Sequence, residues 1–302
     1  MAALRSLKFD FECMASPCEI AIEGRGEKQM RCGAQAAIDE VRRIEAKFSR
    51  YLASSVVSRI NERAGGEPEA VDEETASLLA FAAQLWEASD GLFDITSGVL
   101  RKAWDFRNAR VPTQPQLDAL LPFVGWQQVE LRGREVRLPR AGMEIDFGGF
   151  GKEYAADRAA AVLLESGLQH ALVNLGGDIH VLGPHADGSP WQVAVERPRP
   201  GGEGPLATLP LARGGIATSG DYERAFELDG RRYCHILDPR TGWPVTAWQS
   251  ITVTAANTTT AGALSTTAML MGEAAADWLD AQGAAWLGVR CDGSLIVRHE
   301  RQ

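Results

Sequence analysis

Three glycines precede a lysine in Asp146-Phe147-Gly148-Gly149-Phe150-Gly151-Lys152-Glu153-Tyr154. A glycine-rich turn leading into a helix exposes backbone N–H groups at the helix N-terminus, where anions bind. Lys152 adds a point charge suited to phosphate. The spacing is not that of a Walker loop and no Ser or Thr follows the lysine, so a tight turn with a surface lysine is the competing reading. In Asn174-Leu175-Gly176-Gly177-Asp178 the paired glycines allow positive φ or close backbone approach, in a bulge or against a ligand. Thr218-Ser219-Gly220-Asp221-Tyr222-Glu223-Arg224 sets hydroxyls after an apolar strand, for ligand contact or for a helix cap. His235 begins a block ending in the rigid turn Asp238-Pro239-Arg240-Thr241-Gly242. Its ring titrates near neutrality and can serve as a base, although a lone histidine among apolar residues also fits a structural role. Asn257 to Gly272 carries threonines that cap a helix and lay hydroxyls along its first turns, or it is a buried helix of small residues.

The elements that position these groups follow from periodicity. Residues 7–23 alternate around Met14-Ala15-Ser16-Pro17, which predicts two strands and a turn. Met30, Ala34, Ala37, Ile38, Val41, Ile44 and Phe48 recur at helical spacing over 28–48. A short helix through Ile60, capped by Ser54 or Ser55, and a helix over 73–89 follow. Residues 126–138 predict a hairpin turning at Arg132-Gly133, and Glu144 to Gly151 a strand running into the glycine turn. A helix through Gly167, strands over 170–183 hinged on Gly176-Gly177, and a strand at Trp191–Glu196 come next. Strands near 214–218, 231–236 and 249–255, helices near 259–271 and 273–282, and a strand pair complete the chain. The mixture lacks a steady βαβ rhythm, so an α+β fold of one unit over residues 1–302 is expected. A Pro/Gly-rich, flexible surface excursion is expected at about 184–204.

The net charge of −9 disfavours nucleic acid and anionic lipid as partners, since both need clustered Lys and Arg. Five scattered cysteines without a C-x-x-C argue against a disulfide framework and a zinc site. The first ten residues carry no signal-peptide core or lipidation cysteine, and no apolar run spans a bilayer, so a cytoplasmic protein without membrane contact is expected.

Taken together, the segments resemble a known family. Met14-Ala15-Ser16, Phe48-Ser49-Arg50-Tyr51, Ser58-Arg59-Ile60-Asn61, Gly91-Leu92-Phe93-Asp94-Ile95-Thr96, Asp146 to Lys152, Val173 to Asp178, Thr218 to Tyr222, His235 to Gly242 and Ser250-Ile251-Thr252-Val253 before the threonine-rich helix occur in the order seen in the ApbE-type FAD:protein FMN transferases. The resemblance runs from residue 9 to about residue 297, and its most specific blocks are His-Ile-x-Asp-Pro-x-Thr-Gly and Thr-Ser-Gly-Asp-Tyr. It implies antiparallel or mixed sheets flanked by helices, with FAD as substrate in a cleft. By position, Met14, Tyr51, Leu92, Phe93 and Asp94 are expected to line the flavin or adenine part. Asp146, Lys152, Leu237 and Ser265 are expected to contact FAD. Mg²⁺ is implied at the carbonyl of Gly149, at an aspartate in an Ala-Asp-Ala-Leu-x-Thr stretch, and at the threonine ending it, here Thr266. FMN would pass to a Thr or Ser hydroxyl of an acceptor flavoprotein or redox-complex subunit, with AMP leaving and His235 as the catalytic base.

Two positions depart from the family pattern. The metal-side stretch reads Ala261-Gly262-Ala263-Leu264-Ser265-Thr266, with Gly262 in place of the aspartate. The expected consequence is a lost negative charge and weakened Mg²⁺ binding, and Gly262→Asp is expected to raise metal affinity. Where the family has Lys-Gly-Tyr, this chain has Lys152-Glu153-Tyr154. Glu153 is expected to oppose anion binding unless it points outward. Two alternatives to transfer follow: an FAD carrier or sensor, and an FAD pyrophosphatase giving FMN and AMP.

Overall fold

A computed structural model describes residues 4–299. The chain opens with a hairpin of β1 (Arg5–Cys13) and β2 (Ser16–Gly24). Met14 and Ala15 turn it with φ of 53° and 57°. Two successive positive φ values match the right-handed twist of the strands they join, but they are uncommon for residues with a side chain. The Met14 N–H donates to Glu45 at 2.6 Å and holds the turn. Glu45 lies on α1 (Glu27–Phe48), whose buried side is the expected stripe from Met30 to Phe48. α2 (Val56–Glu62) is capped by Ser55, and β3 (Glu69–Ala70) precedes α3 (Glu73–Ala88). A 3₁₀ helix (Ile95–Lys102), α4 (Gln114–Asp118) and the hairpin β4 (Glu130–Arg132) and β5 (Glu135–Arg137) lead to α5 (Gly151–Glu165). Three hairpin-like pairs and a single strand follow: β6 (His170–Leu175) with β7 (Asp178–Val181), β8 (Trp191–Val195) with β9 (Ala207–Leu211), then β10 (Gly214–Gly220), and β11 (Ala225–Leu228) with β12 (Arg231–Cys234). β13 (Trp248–Ala255), α6 (Thr258–Met271), α7 (Ala275–Ala281), β14 (Ala285–Arg290) and β15 (Leu295–Arg298) finish the fold.

Eight strands form one antiparallel sheet in the order β1-β2-β6-β7-β10-β13-β14-β15. Helices cover one face: α1 packs on α5, α5 on β6, β7 and α6, and α6 on β10 and β13. The β8–β9 hairpin covers the other, with Val193 and Val195 against Ile179, Val181 and Ile216. This is the expected α+β architecture.

Alternation along the strands decides which polar groups meet the helices. Asp178 and His180 share the helix-facing side of β7, and Gly215, Ala217 and Ser219 share the corresponding side of β10. His180 Nδ1 lies 2.6 Å from Asp157 of α5. Asp157 also accepts from the backbone N–H groups of Thr258 (2.8 Å) and Thr259 (2.9 Å). One carboxylate thereby caps α6 and fixes it to both α5 and the sheet. Burial opposes its charge, but the bonds from His180 and Thr259 hold its pKa below the usual carboxylate value. That contribution is present at neutral pH and is lost as pH falls through the depressed pKa. Asp157→Ala is expected to lower unfolding free energy by about 2–3 kcal/mol at pH 7, read by urea denaturation. A loss under about 0.5 kcal/mol would show that the cap does not hold α6 in place.

Two local expectations change. Glu144 to Gly151 contains no strand. Ile145 is flanked by the side chain of Asn61, whose amide donates to its carbonyl (3.0 Å) and accepts from its N–H (2.7 Å). A side chain thus replaces a ladder partner, and sequence alternation cannot distinguish the two. Strand β9 contains Pro210, which hides it from a propensity reading, and it pairs only with β8. The excursion after Pro184 carries β8 where a strand is expected, and Arg199 makes two bonds to Asp221, at 2.6 and 2.5 Å, which tie it to the Thr218–Tyr222 block.

Candidate active site

Lys152 lies in the first turn of α5, opposite the start of β7. Its Nζ stands 3.0 Å from Asp178 Oδ2 and donates to the Gly176 carbonyl at 3.1 Å. Gly176 and Gly177, at φ of 59° and 94°, turn the β6–β7 hairpin. A Cβ on Gly176 would stand 2.7 Å from Ser16 Cβ and 3.2 Å from Lys152 Nζ. The paired glycines therefore let the β1–β2 turn, with half-buried Met14, and the α5 N-terminus close on one point. Burial opposes the charge of Lys152, but Asp178 and Glu153 outweigh it and raise its pKa.

Asp146 precedes the glycine turn. It is ion-paired with Arg50, and its other oxygen accepts from Gly148 N at 3.0 Å. Arg50 also donates to the Tyr51 hydroxyl at 2.7 Å, and Tyr51 is 77% exposed. Sequence reasoning placed Asp146 and Tyr51 in the site but not the arginine that joins them. Leu92, Phe93 and Asp94 are buried. Asp94 spends both oxygens inside the fold, on Thr96 N (2.8 Å), Thr96 Oγ1 (2.6 Å) and Trp126 N (2.8 Å). Its carboxylate therefore supports the loop rather than presenting free oxygens. Phe93 packs against the glycine turn: a Cβ on Gly149 would lie 2.7 Å from its Cζ.

The same Cβ would lie 3.8 Å from Thr266, so Gly149 and Thr266 are neighbours although they come from different elements. Ser219 of β10 bonds to the hydroxyls of Ser265 and Thr266, at 2.9 Å each, and Ser265 donates to the Gly262 carbonyl at 3.0 Å. Ser265 is fully buried, and Ser219, which the sequence reading did not single out as a contact, links it to Thr266.

His235 follows β12 and is half-buried, and its N–H donates to the Arg224 carbonyl at 3.0 Å. Its Nδ1 is buried and has no hydrogen-bond partner. Burial, and then the charges of Arg224, Arg50 and Lys152, push its pKa down to about 4. The ring is therefore neutral near pH 7, with a free nitrogen among cations. Leu237 pairs with Pro244 and packs with Trp104, Tyr233 and Trp243. Asp238 closes the turn: its carbonyl accepts from Gly242 N at 2.8 Å, and its carboxylate binds Arg240.

Glu153 is the unexpected member. It is 8% exposed and points inward, between α5 and α6. A Cβ on Gly262 would meet its Cγ at 2.5 Å, its Oε1 at 2.6 Å and its Cδ at 2.7 Å. The two departures from the family pattern are thus in contact, and Glu153 fills the space that Gly262 leaves. Glu153 does not point outward, and it brings a carboxyl to the place where the sequence predicts a lost charge, although burial holds that carboxyl largely protonated in the free protein. Gly262→Asp alone would place a second carboxylate on the same volume. Burial, and next the charge of Asp178, raise the pKa of Glu153, while Lys152 pulls the other way. Glu153 Oε2 has no partner. Among the described residues no group of three His, Cys, Asp or Glu comes together to hold a metal, so a hard cation here would depend on carbonyl, hydroxyl and substrate oxygens beside a carboxylate. The orphaned oxygen of Glu153 beside Gly262, and the Gly149 backbone beside Thr266 one turn along α6, are oxygen donors of the kind such a cation takes. Among the described residues no helix is long and apolar enough to cross a membrane.

The chain is similar in sequence and fold to known proteins. The chain is 33% identical to an FAD:protein FMN transferase of Vibrio cholerae over 245 residues, 79% of this chain and 73% of that protein. It superposes on the ApbE protein of Thermotoga maritima with a TM-score of 0.90, at 34% identity and covering 99% and 100% of the two chains. The flavin transferase ApbE from Vibrio cholerae gives a TM-score of 0.86 at 27% identity, covering 98% of this chain and 97% of its own. The ApbE family profile matches residues 14–287, more than half of the chain, and the chain belongs to the ApbE family.

Proposed function

We propose that this protein is an FAD:protein FMN transferase. It moves FMN from FAD onto a Thr or Ser hydroxyl of an acceptor protein, a flavin-carrying or redox-complex subunit, and releases AMP. The observation that carries this reading is His235, a neutral imidazole with an unpartnered Nδ1 beside Arg224, Arg50 and Lys152.

The chemistry needs an aligned nucleophile and relief of charge on the pyrophosphate. The acceptor hydroxyl gives its proton to His235 as its oxygen bonds to the phosphorus of the FMN half. The P–O bond of the pyrophosphate breaks, and AMP leaves with the electron pair. Lys152 and Arg50 offset charge on the phosphate oxygens, Lys152 from the helix N-terminus. Met14, Tyr51, Leu92, Phe93, Asp94, Asp146, Leu237 and Ser265 are assigned to the FAD cleft, Asp94 and Leu237 through the loops that they fix. Mg²⁺, held through the Gly149 carbonyl and Thr266, would supply further neutralisation of the phosphates when bound.

The test incubates the protein with FAD, Mg²⁺ and an acceptor domain carrying a suitable threonine. In-gel flavin fluorescence on the denatured acceptor is the expected result. Free FMN and AMP without label would replace transfer by hydrolysis. Intact bound FAD and no product would leave only a carrier.

A further inference from the structure

A buried carboxyl oxygen needs a partner, and beside the Glu153–Asp178 pair one oxygen has none. Asp178 is 4% exposed and Glu153 8%. Lys152 answers Asp178 at 3.0 Å. Glu153 Oε2 is left with none. Burial raises the pKa of both carboxyls, Glu153 to about 8, so in the free protein a proton takes the place of a second cation beside Lys152.

The position of Glu153 gives the orphaned oxygen a meaning. In an aspartate, the carboxylate oxygens lie about 2.4 Å from Cβ, as bond lengths and angles require. Glu153 Oε1 lies 2.6 Å from the point where a Cβ of residue 262 would stand. With its Cγ at 2.5 Å and Cδ at 2.7 Å, the glutamate carboxyl reaching from α5 fills the space beside residue 262 that an aspartate side chain on α6 would take. Thr266 lies one turn further along α6 than Gly262, and Gly149 lies against Thr266. We propose that Glu153 supplies the carboxylate of a divalent-cation site from α5, in place of one on α6 that Gly262 cannot provide. This rests on the flavin-transferase reading of the site. Only one of the two positions has room for an acidic side chain, so a larger residue at 153 and a glycine at 262 are one coupled change.

The test is Mn²⁺ titration followed by electron paramagnetic resonance, with and without FAD, on the full chain. FAD binding is measured separately by flavin fluorescence in metal-free buffer. The wild-type protein is expected to bind Mn²⁺, and Glu153→Gln to weaken it by about tenfold or more through loss of a charged ligand. The double variant Glu153→Gly with Gly262→Asp is expected to return affinity to within about threefold of wild type. A wild-type protein that binds FAD but takes up no Mn²⁺ would overturn the proposal and leave FAD recognition standing. Mn²⁺ binding by Glu153→Gln equal to wild type would also overturn it, as would a double variant that melts normally yet stays deficient. If wild type takes up no FAD, the transferase reading fails, and the titration without FAD still decides the role of Glu153.

Discussion

Replacing His235 with alanine lowers the rate of flavin transfer by about 10²–10⁴-fold and leaves FAD affinity within a few-fold of wild type. A hydroxyl is a weak nucleophile at neutral pH, and the proposed base is the group that takes its proton. The pKa of about 4 means that His235 needs no deprotonation before it acts near pH 7. Protonation of His235 is therefore expected to lower kcat/KM only as pH approaches 4, and to add no acid limb between about pH 8 and about pH 5. Bound FAD brings negative charge to offset the charges of Arg224, Arg50 and Lys152 that act on the ring, which favours the protonated form. The acid limb of kcat should therefore lie at higher pH than that of kcat/KM. Single-turnover transfer by His235→Ala within about threefold of wild type would remove His235 from the chemistry.

The second large effect is on stability. Lys152→Met keeps much of the side-chain shape and removes the charge beside Asp178. It leaves Asp178 and Glu153 buried together without a cation, which costs about 3–5 kcal/mol when one partner of a buried pair is removed. The loss depends on pH in a definite direction. Burial raises the pKa of both carboxyls in the folded protein. An acid raised in this way favours the folded state fully below its unfolded pKa, about 4, and loses that contribution as pH rises through the folded value. Without Lys152 both folded values climb further, so the variant should lie closer to wild type at pH 5 than at pH 8. Urea denaturation at the two pH values, with a chelator present, measures this. A deficit equal at both would mean that the carboxyls do not titrate within the interior. The same variant should also bind FAD more weakly, by about 1.5–3 kcal/mol for a lost charge-assisted contact to phosphate.

Much of the fold was legible because its signals are local. The α1 stripe recurs at helical spacing, and Ser55 caps α2 where a serine before the pattern predicted it. The two glycines of the β6–β7 turn could be placed because little else tolerates both of their φ values. The misread stretch at Glu144–Gly151 is extended but bonded by a side chain, Asn61, and β9 was obscured by Pro210. In both cases the partner that defines the element lies elsewhere in the chain. Of the candidate site, His235, Asp146, Lys152, Gly149 and Thr266 were named from their blocks. Arg50 stood inside a recognised block without a role, and Ser219 only among hydroxyls read as a ligand contact or a cap, because their part is to connect residues that are far apart in sequence.

The order of the blocks by itself determined the family and the residue types available for phosphate chemistry. It also determined that two positions, Glu153 and Gly262, break the pattern. Read along the chain, they were separate losses, one of a carboxylate and one of a small residue. Only the packing of α5 against α6 joined them, because the space beside a glycine is filled by whatever the neighbouring helix brings to it, here Glu153 at 2.5–2.7 Å. Tertiary structure likewise set the protonation of His235, since burial and the cations around the ring, not its place in the sequence, fix the pKa of an imidazole.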